Sequence, residues 1–260
     1  RHTTAEQLVE IANTDTSRIA RLWAYRILLK KADKQVFDIL KQALKDTTHV
    51  ELMSGCSRFE EPYNRTAISV YRYDGNELKL SNQLRFSLDS LIFFGYMKNK
   101  GFENGLLMDF KPHKIYYATV IEEADKGNYA ILPLLAQYKN PNDRQRINKL
   151  LKDNLKKAGV CSYEACGAIS NWNDPAFEWY AKAACQATIK QEDYYAGDIL
   201  QLLCAYPAPW SYQILKEMLT QKGDYSNSDT AKDYLTELYK TRPVPPIFKP
   251  LYDRYVARKK

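Results

Sequence analysis

His2, His49 and His113 are the only imidazoles in the chain. None has around it the serine, cysteine and carboxylate arrangement from which a nucleophilic triad is recognised, so each reads as a surface or capping histidine. Paired carboxylates occur at Glu60-Glu61 and Glu122-Glu123. Two acids can divide acid–base work when both reach one reacting bond, but neighbours in a helix diverge, and a loop pair is ordinarily solvated. Of the five cysteines, Cys161 and Cys166 are close in sequence, and Cys56, Cys185 and Cys204 stand alone. C-x4-C with no second Cys/His pair is not a zinc knuckle. The pair reads either as a disulfide or as two unrelated thiols. Signatures for phosphate loops, dinucleotide sites, zinc proteases and nucleophile elbows are all absent. The expectation is no catalytic residue, no metal ligand and no cofactor. Asn64-Arg65-Thr66 fits the glycosylation acceptor pattern.

The composition narrows the class. The chain has 260 residues, 45% of them apolar, enough for a sizeable core. No apolar run approaches the length of a membrane-spanning helix. The chain begins Arg1-His2, and the compartment stays open. The net charge of +7 comes from 38 basic and 31 acidic residues. The lysines are dispersed, and the short runs Lys30-Lys31, Lys156-Lys157 and Arg258-Lys259-Lys260 read as solvated faces rather than phosphate sites. The unusual feature is 20 tyrosines. Tyrosine has an apolar ring and a polar tip, which suits half-buried positions and binding surfaces.

The elements that would carry these residues are mostly helices. The clearest stretch is 174–206. Asp174-Pro175 is a cap followed by proline at the first helical position. Phe177, Tyr180, Ala181, Ala184, Cys185, Thr188 and Ile189 then form one apolar face, and Tyr195, Ile199, Leu202 and Leu203 a second, beyond a break at Gln191-Glu192-Asp193. The pair reads as an αα-hairpin. Residues 1–48 read as three amphipathic helices, the second capped by Thr16 and facing inward through Ile19, Leu22, Trp23, Ile27 and Leu28. Residues 49–86 read as irregular. Within them Ala67–Tyr73 is rich in β-branched and aromatic residues, Asp74-Gly75-Asn76 is a turn signal, and Glu77–Leu80 alternates. This predicts a β-hairpin with Tyr71 and Tyr73 on one strand face and Arg72 on the other. Residues 87–260 read as a helical, repeat-like body within one domain.

Lys139–Asp143, Trp172–Pro175 and Tyr206–Pro209 repeat a turn between helices at a spacing of about 33 residues, in the range of helical-pair repeats. On these turns the chain loosely resembles HEAT or armadillo-type solenoids over residues 112–240. That resemblance implies a mainly α fold, an α-solenoid-like stack of helical pairs with one inserted β-hairpin. A compact irregular helical domain is the alternative. The expected function is protein binding without catalysis, with an inhibitor or immunity-type protein as the nearest analogy. The candidate contact residues are Tyr71, Arg72, Tyr73, Tyr194, Trp210 and Tyr212. The competing readings are an enzyme with an unrecognised site and a nucleic-acid-binding repeat protein. Some helical-repeat DNA glycosylases use tryptophans and an aspartate on a basic face, which Trp172, Asp174, Trp179 and Trp210 could imitate.

Overall fold

The computed structural model describes residues 3–54, 56–74, 79–107, 110–158, 162–190, 197–220 and 227–257. The chain is mainly helical, with one small two-stranded antiparallel sheet. It divides into two compact units, Arg1–Asp109 and Phe110–Lys260.

The first unit begins with α1 (Ala5–Thr14), α2 (Arg18–Lys30) and α3 (Val36–Ala43). A capping box opens α1: the Thr4 hydroxyl accepts from the Gln7 N–H, and the Gln7 side chain accepts from the Thr4 N–H. The cap of α2 is Ser17, not Thr16, and its hydroxyl accepts from the Ala20 N–H. The chain then makes β1 (His49–Ser54) and β2 (Ser57–Pro62), antiparallel, in a register that sets Val50 opposite Glu61 and Leu52 opposite Phe59. Next come α4 (Tyr63–Asp74), α5 (Asn82–Ile92) and the short α6 (Lys98–Lys100) and α7 (Asn104–Leu107), with a π-helical turn at Phe93–Met97 between α5 and α6. Helices α2, α3 and α4 pack on one another, α1 covers α2 and α3, and α5 covers α3. The carboxylate of Asp46, just beyond α3, fixes this corner. It accepts from the Thr48 N–H and hydroxyl and forms ion pairs with Arg18 (3.2 Å) and Arg21 (3.6 Å) of α2.

The predicted strand at Ala67–Tyr73 is helix. Tyr63, Ala67 and Tyr71 fall four residues apart and all are buried, as is Ile68. Packing against α2 and α3 favours the 3.6-residue period over the β propensity of these residues. The sheet lies instead at 49–62, inside the segment read as irregular. Residues 75–78, which carry the predicted turn, lie outside the described residues. The acceptor pattern at Asn64 is closed off: Asn64 is 3% exposed, its side-chain oxygen accepts from the Arg65 N–H, and its amide nitrogen donates to the Leu44 carbonyl.

The second unit comprises α8 (Lys114–Asp125), α9 (Leu132–Gln137), α10 (Arg144–Ala158), α11 (Tyr163–Trp172), α12 (Glu178–Thr188), α13 (Gly197–Ala205), α14 (Pro209–Thr220), α15 (Asn227–Leu238) and α16 (Lys249–Leu251). Helix α11 lies between α9 and α13, while α10 touches α8 and α12, and α12 touches α14. The turns that lead into α10 and α12 share one construction. Lys139 (φ 50°) and Asn173 (φ 54°) take the left-handed conformation, Asn140 and Asp174 cap, and Pro141 and Pro175 open a 3₁₀ turn before the helix. Pro209 then opens α14 directly, and Pro141, Pro175 and Pro209 stand 34 residues apart.

The face read on α12 is buried as the spacing requires, with Phe177, Tyr180, Ala181, Ala184 and Cys185 at 0% exposure. Cys185 and Cys204 are free buried thiols, and burial pushes both up, Cys204 to about 12. Cys166 is disulfide-bonded, and its partner lies outside the described residues.

Ala184→Arg should destabilise the protein by about 3 kcal/mol or more, because it places an unpaired charge where α12 packs on its neighbours. Urea unfolding measures this, and a wild-type midpoint would show that this face is not packed. A second expectation concerns alkali. Burial pushes Tyr129 and Tyr138 up to about 12, and raises Tyr25, Tyr71 and Tyr180 well above the ordinary value. An unfolded tyrosine titrates near about 10. The folded state therefore holds its phenolic protons longer, so this stability is complete below about pH 10 and is lost as pH rises toward the folded values. Phenolate absorbance should show the exposed tyrosines titrating first and the buried ones ionising together with unfolding. Smooth titration of every tyrosine near its ordinary value would contradict the burial.

Candidate interaction surface

Chemistry-bearing side chains in this chain are mostly engaged in holding helices together. The Tyr71 ring is 1% exposed, and its hydroxyl donates to Asp89 Oδ1 at 2.7 Å. Burial, and then the Asp89 carboxylate, push this phenol far above its ordinary value. Arg72 pairs with the same carboxylate at 3.3 Å, with both side chains largely buried. Tyr71 and Arg72 are therefore internal ties of α4 and α5. Tyr73, 86% exposed, is the member of that trio that faces solvent. Tyr194 lies outside the described residues. Trp210 and Tyr212 are half-buried on α14, and the Trp210 indole N–H donates to Glu178 Oε1 at 2.9 Å.

The four residues singled out for a nucleic-acid reading are also structural. Asp174 is 6% exposed, caps the turn before α12 by accepting from the Ala176 N–H, and accepts from Arg144 Nε and a terminal guanidinium nitrogen at 2.9 and 2.7 Å. The Trp172 ring packs edge-on against Phe177. Trp179 and Trp210 each bond to an earlier helix, through Asn148 of α10 and Glu178 of α12.

His113 caps α8: its ring nitrogen accepts from the Ile115 N–H, and its backbone carbonyl accepts from the Tyr138 hydroxyl at 2.7 Å. Glu122 and Glu123 both grip Lys126 at 2.8 Å. Among the described residues no group of three or more His, Cys, Asp or Glu is placed to hold a metal ion, and no helix is long and apolar enough to cross a membrane.

The feature left over lies in the first unit. Helix α2 is apolar on two sides. Leu22, Tyr25, Leu28 and Leu29 enter the core. Ile19, Trp23 and Ile27, four residues apart and so in line, remain 38%, 57% and 40% exposed. These three were expected to face inward. Opposite them Met53 of β1 is 69% exposed. Between α2 and β1 runs an open groove of about 360 Å³, its walls Ile19, Trp23 and Met53 and its floor Leu22, Leu52 and Val70. The Arg26 guanidinium lies 5.3 Å from the Trp23 ring centroid, and Glu51 pairs with Arg58 at 3.3 Å along the hairpin. Phe59, opposite Leu52 in the register, is 45% exposed.

No family model, curated protein or solved structure matches the chain. The site is therefore argued from its own geometry. A signal for it existed in the sequence. Leu22, Tyr25, Leu28 and Leu29 already complete a core stripe, so Ile19, Trp23 and Ile27 are apolar residues in excess of what one face needs. They went unrecognised because a broad apolar helix also reads as a deeply buried one.

Two substitutions separate the inward from the outward tyrosine. Tyr71→Phe should cost about 1–3 kcal/mol, since it leaves the Asp89 carboxylate short of a donor in the interior. Tyr73→Ala should stay within about 0.5 kcal/mol of wild type. Thermal melting of both variants checks the assignment, and equal losses would contradict it.

Proposed function

We propose that this chain is a non-catalytic protein-binding module that seats an apolar segment of a partner protein in the groove between α2 and β1. One observation carries the reading. A chain that buries many large aromatic rings nonetheless leaves Ile19, Trp23, Ile27 and Met53 together at its surface. Contiguous exposed apolar side chains of this size mark interaction surfaces far more often than bare solvent boundary, and tryptophan and methionine are enriched at such contacts. The rim carries both signs of charge, Arg26 and Arg58 with Glu51. That mixture suits a protein partner better than a polyanion or an anionic membrane, either of which would meet a uniformly basic rim. An inhibitor or immunity-type protein acts in this way, by covering a partner rather than by chemistry.

The second unit fits the same class of function as a scaffold. The 34-residue recurrence of Pro141, Pro175 and Pro209, the shared turn before α10 and α12, and the side-by-side order of α9, α11 and α13 support reading it as a solenoid-like stack of helical pairs. Stacks of this kind bury a continuous core between neighbours and leave broad faces for ligands.

The test starts from a partner captured from the native source on immobilised wild-type protein. Trp23→Asp combined with Met53→Asp should abolish that capture while leaving the melting temperature within a few degrees, because both side chains are more than half exposed. In a subsequent alanine series Trp23 should cost about 2 kcal/mol or more of affinity, as a central aromatic anchor does. Capture that survives the double substitution would overturn the proposal. So would self-association of the wild type in sedimentation that the double substitution removes, since the groove would then serve this chain's own second copy.

A further inference from the structure

Helix α10 sorts its charges. Its arginines are paired: Arg144 with Asp174, and Arg146 with Asp125 (2.6 Å) and Asp143 (3.2 Å). Its lysines are not. Lys149, Lys152 and Lys156 follow one another at helical spacing, so they share one side of the helix. All three are exposed, and none forms an ion pair among the described residues. Beside them an open groove of about 590 Å³ runs between α10 and the start of α12, lined by Gln145, Asn148, Lys149, Lys152, Asp153 and Trp179.

The aromatic wall of this groove is held in place. The Trp179 indole N–H donates to Asn148 Oδ1 at 2.6 Å, which fixes the ring while leaving the residue 37% exposed. Lys152 Nζ stands 5.9 Å from the ring centroid, within reach of its π face. The same bond uses the Asn148 oxygen and leaves the amide hydrogens of Asn148 as donors, and Gln145 adds a second side-chain amide at the groove. The groove thus combines lysines outside any ion pair, a fixed aromatic face and amide groups that match a peptide backbone.

We propose that this groove binds an extended acidic segment of a polypeptide, its carboxylates on Lys149, Lys152 and Lys156 and one apolar or aromatic side chain against Trp179. Asp153 also lines the groove: its carboxylate repels phosphates and peptide carboxylates alike, but it can accept from a peptide backbone N–H, a donor that a phosphodiester backbone lacks. The inference rests on observations separate from those behind the α2 groove, and neither needs the other.

The experiment uses the full chain and a fluorescent peptide of glutamates alternating with alanines around a single phenylalanine, followed by anisotropy at low salt. The wild type should bind it, and binding should weaken steeply as salt is raised. Lys149→Glu combined with Lys152→Glu should weaken binding by roughly tenfold or more, and the milder pair Lys149→Gln, Lys152→Gln by less, both with unchanged melting since these side chains are exposed. Replacing the peptide's phenylalanine by alanine should weaken binding to the wild type severalfold. A peptide that does not bind, or that binds the charge-reversed variant equally well, would overturn the proposal. Tighter binding of a single-stranded oligothymidylate of equal charge through the same lysines would overturn it in favour of nucleic acid.

Discussion

A tyrosine ring can be buried at little cost only where its hydroxyl meets a partner, and this chain has 20 tyrosines to place. The way those hydroxyls are satisfied shapes both units. Tyr71 reaches from α4 to Asp89 on α5. Tyr117 donates to the buried Asp143 at 2.7 Å and accepts from Asn140, which ties α8 to the turn before α10. Tyr138 and Tyr206 do the same job at equivalent places: each donates to the backbone carbonyl of a helix cap, His113 and Asp174 respectively. Tyr129 pairs with Ser162 at the cap of α11, and Tyr180 donates to Asn154 of α10. Interior polar atoms thus join helix ends to one another, and short helices that would fray alone are closed by their neighbours. Tyr25 and Tyr239 are exceptions, with buried hydroxyls that have no hydrogen-bond partner among the described residues.

How much of this was readable in advance depends on what kind of signal each segment carried. The stretch from Asp174 was legible because three signals agree there: a capping acid, a proline at the first position, and apolar residues at 3.6-residue spacing. Ala67–Tyr73 misled because composition and period disagreed. Ile68, Val70 and Tyr71 favour strands locally, while Tyr63, Ala67 and Tyr71 mark one side of a helix, and the contact with α2 and α3 settled the conflict. The true strands, His49–Ser54 and Ser57–Pro62, alternate too weakly to be seen, because β2 exposes most of its side chains on both faces.

The functional surfaces were less legible than the fold, and for a physical reason. Tyrosines drew attention because the type is enriched at interfaces, but type alone does not say whether a hydroxyl points to solvent or to an aspartate on the next helix. Arg72 and Tyr71 look like contact residues in sequence and are an internal ion pair and hydrogen bond. Trp23 looks like core and is surface. In each case the deciding quantity is what the neighbouring helix leaves uncovered, which no single segment contains. The lysines of α10 show the same limit: beside the paired arginines they read as one more solvated face, and only the positions of Asp125, Asp143 and Asp174 reveal which charges are spent and which are spare.

Met53 gives the apolar surface of α2 and β1 a chemical sensitivity of its own. The residue is 69% exposed, open to oxidants that the buried Met97 and Met218 do not meet. Oxidation to the sulfoxide would turn a soft apolar side chain into a polar one at the groove's edge without touching the core. The folded chain would then present a less apolar groove edge, and reduction of the sulfoxide would restore it.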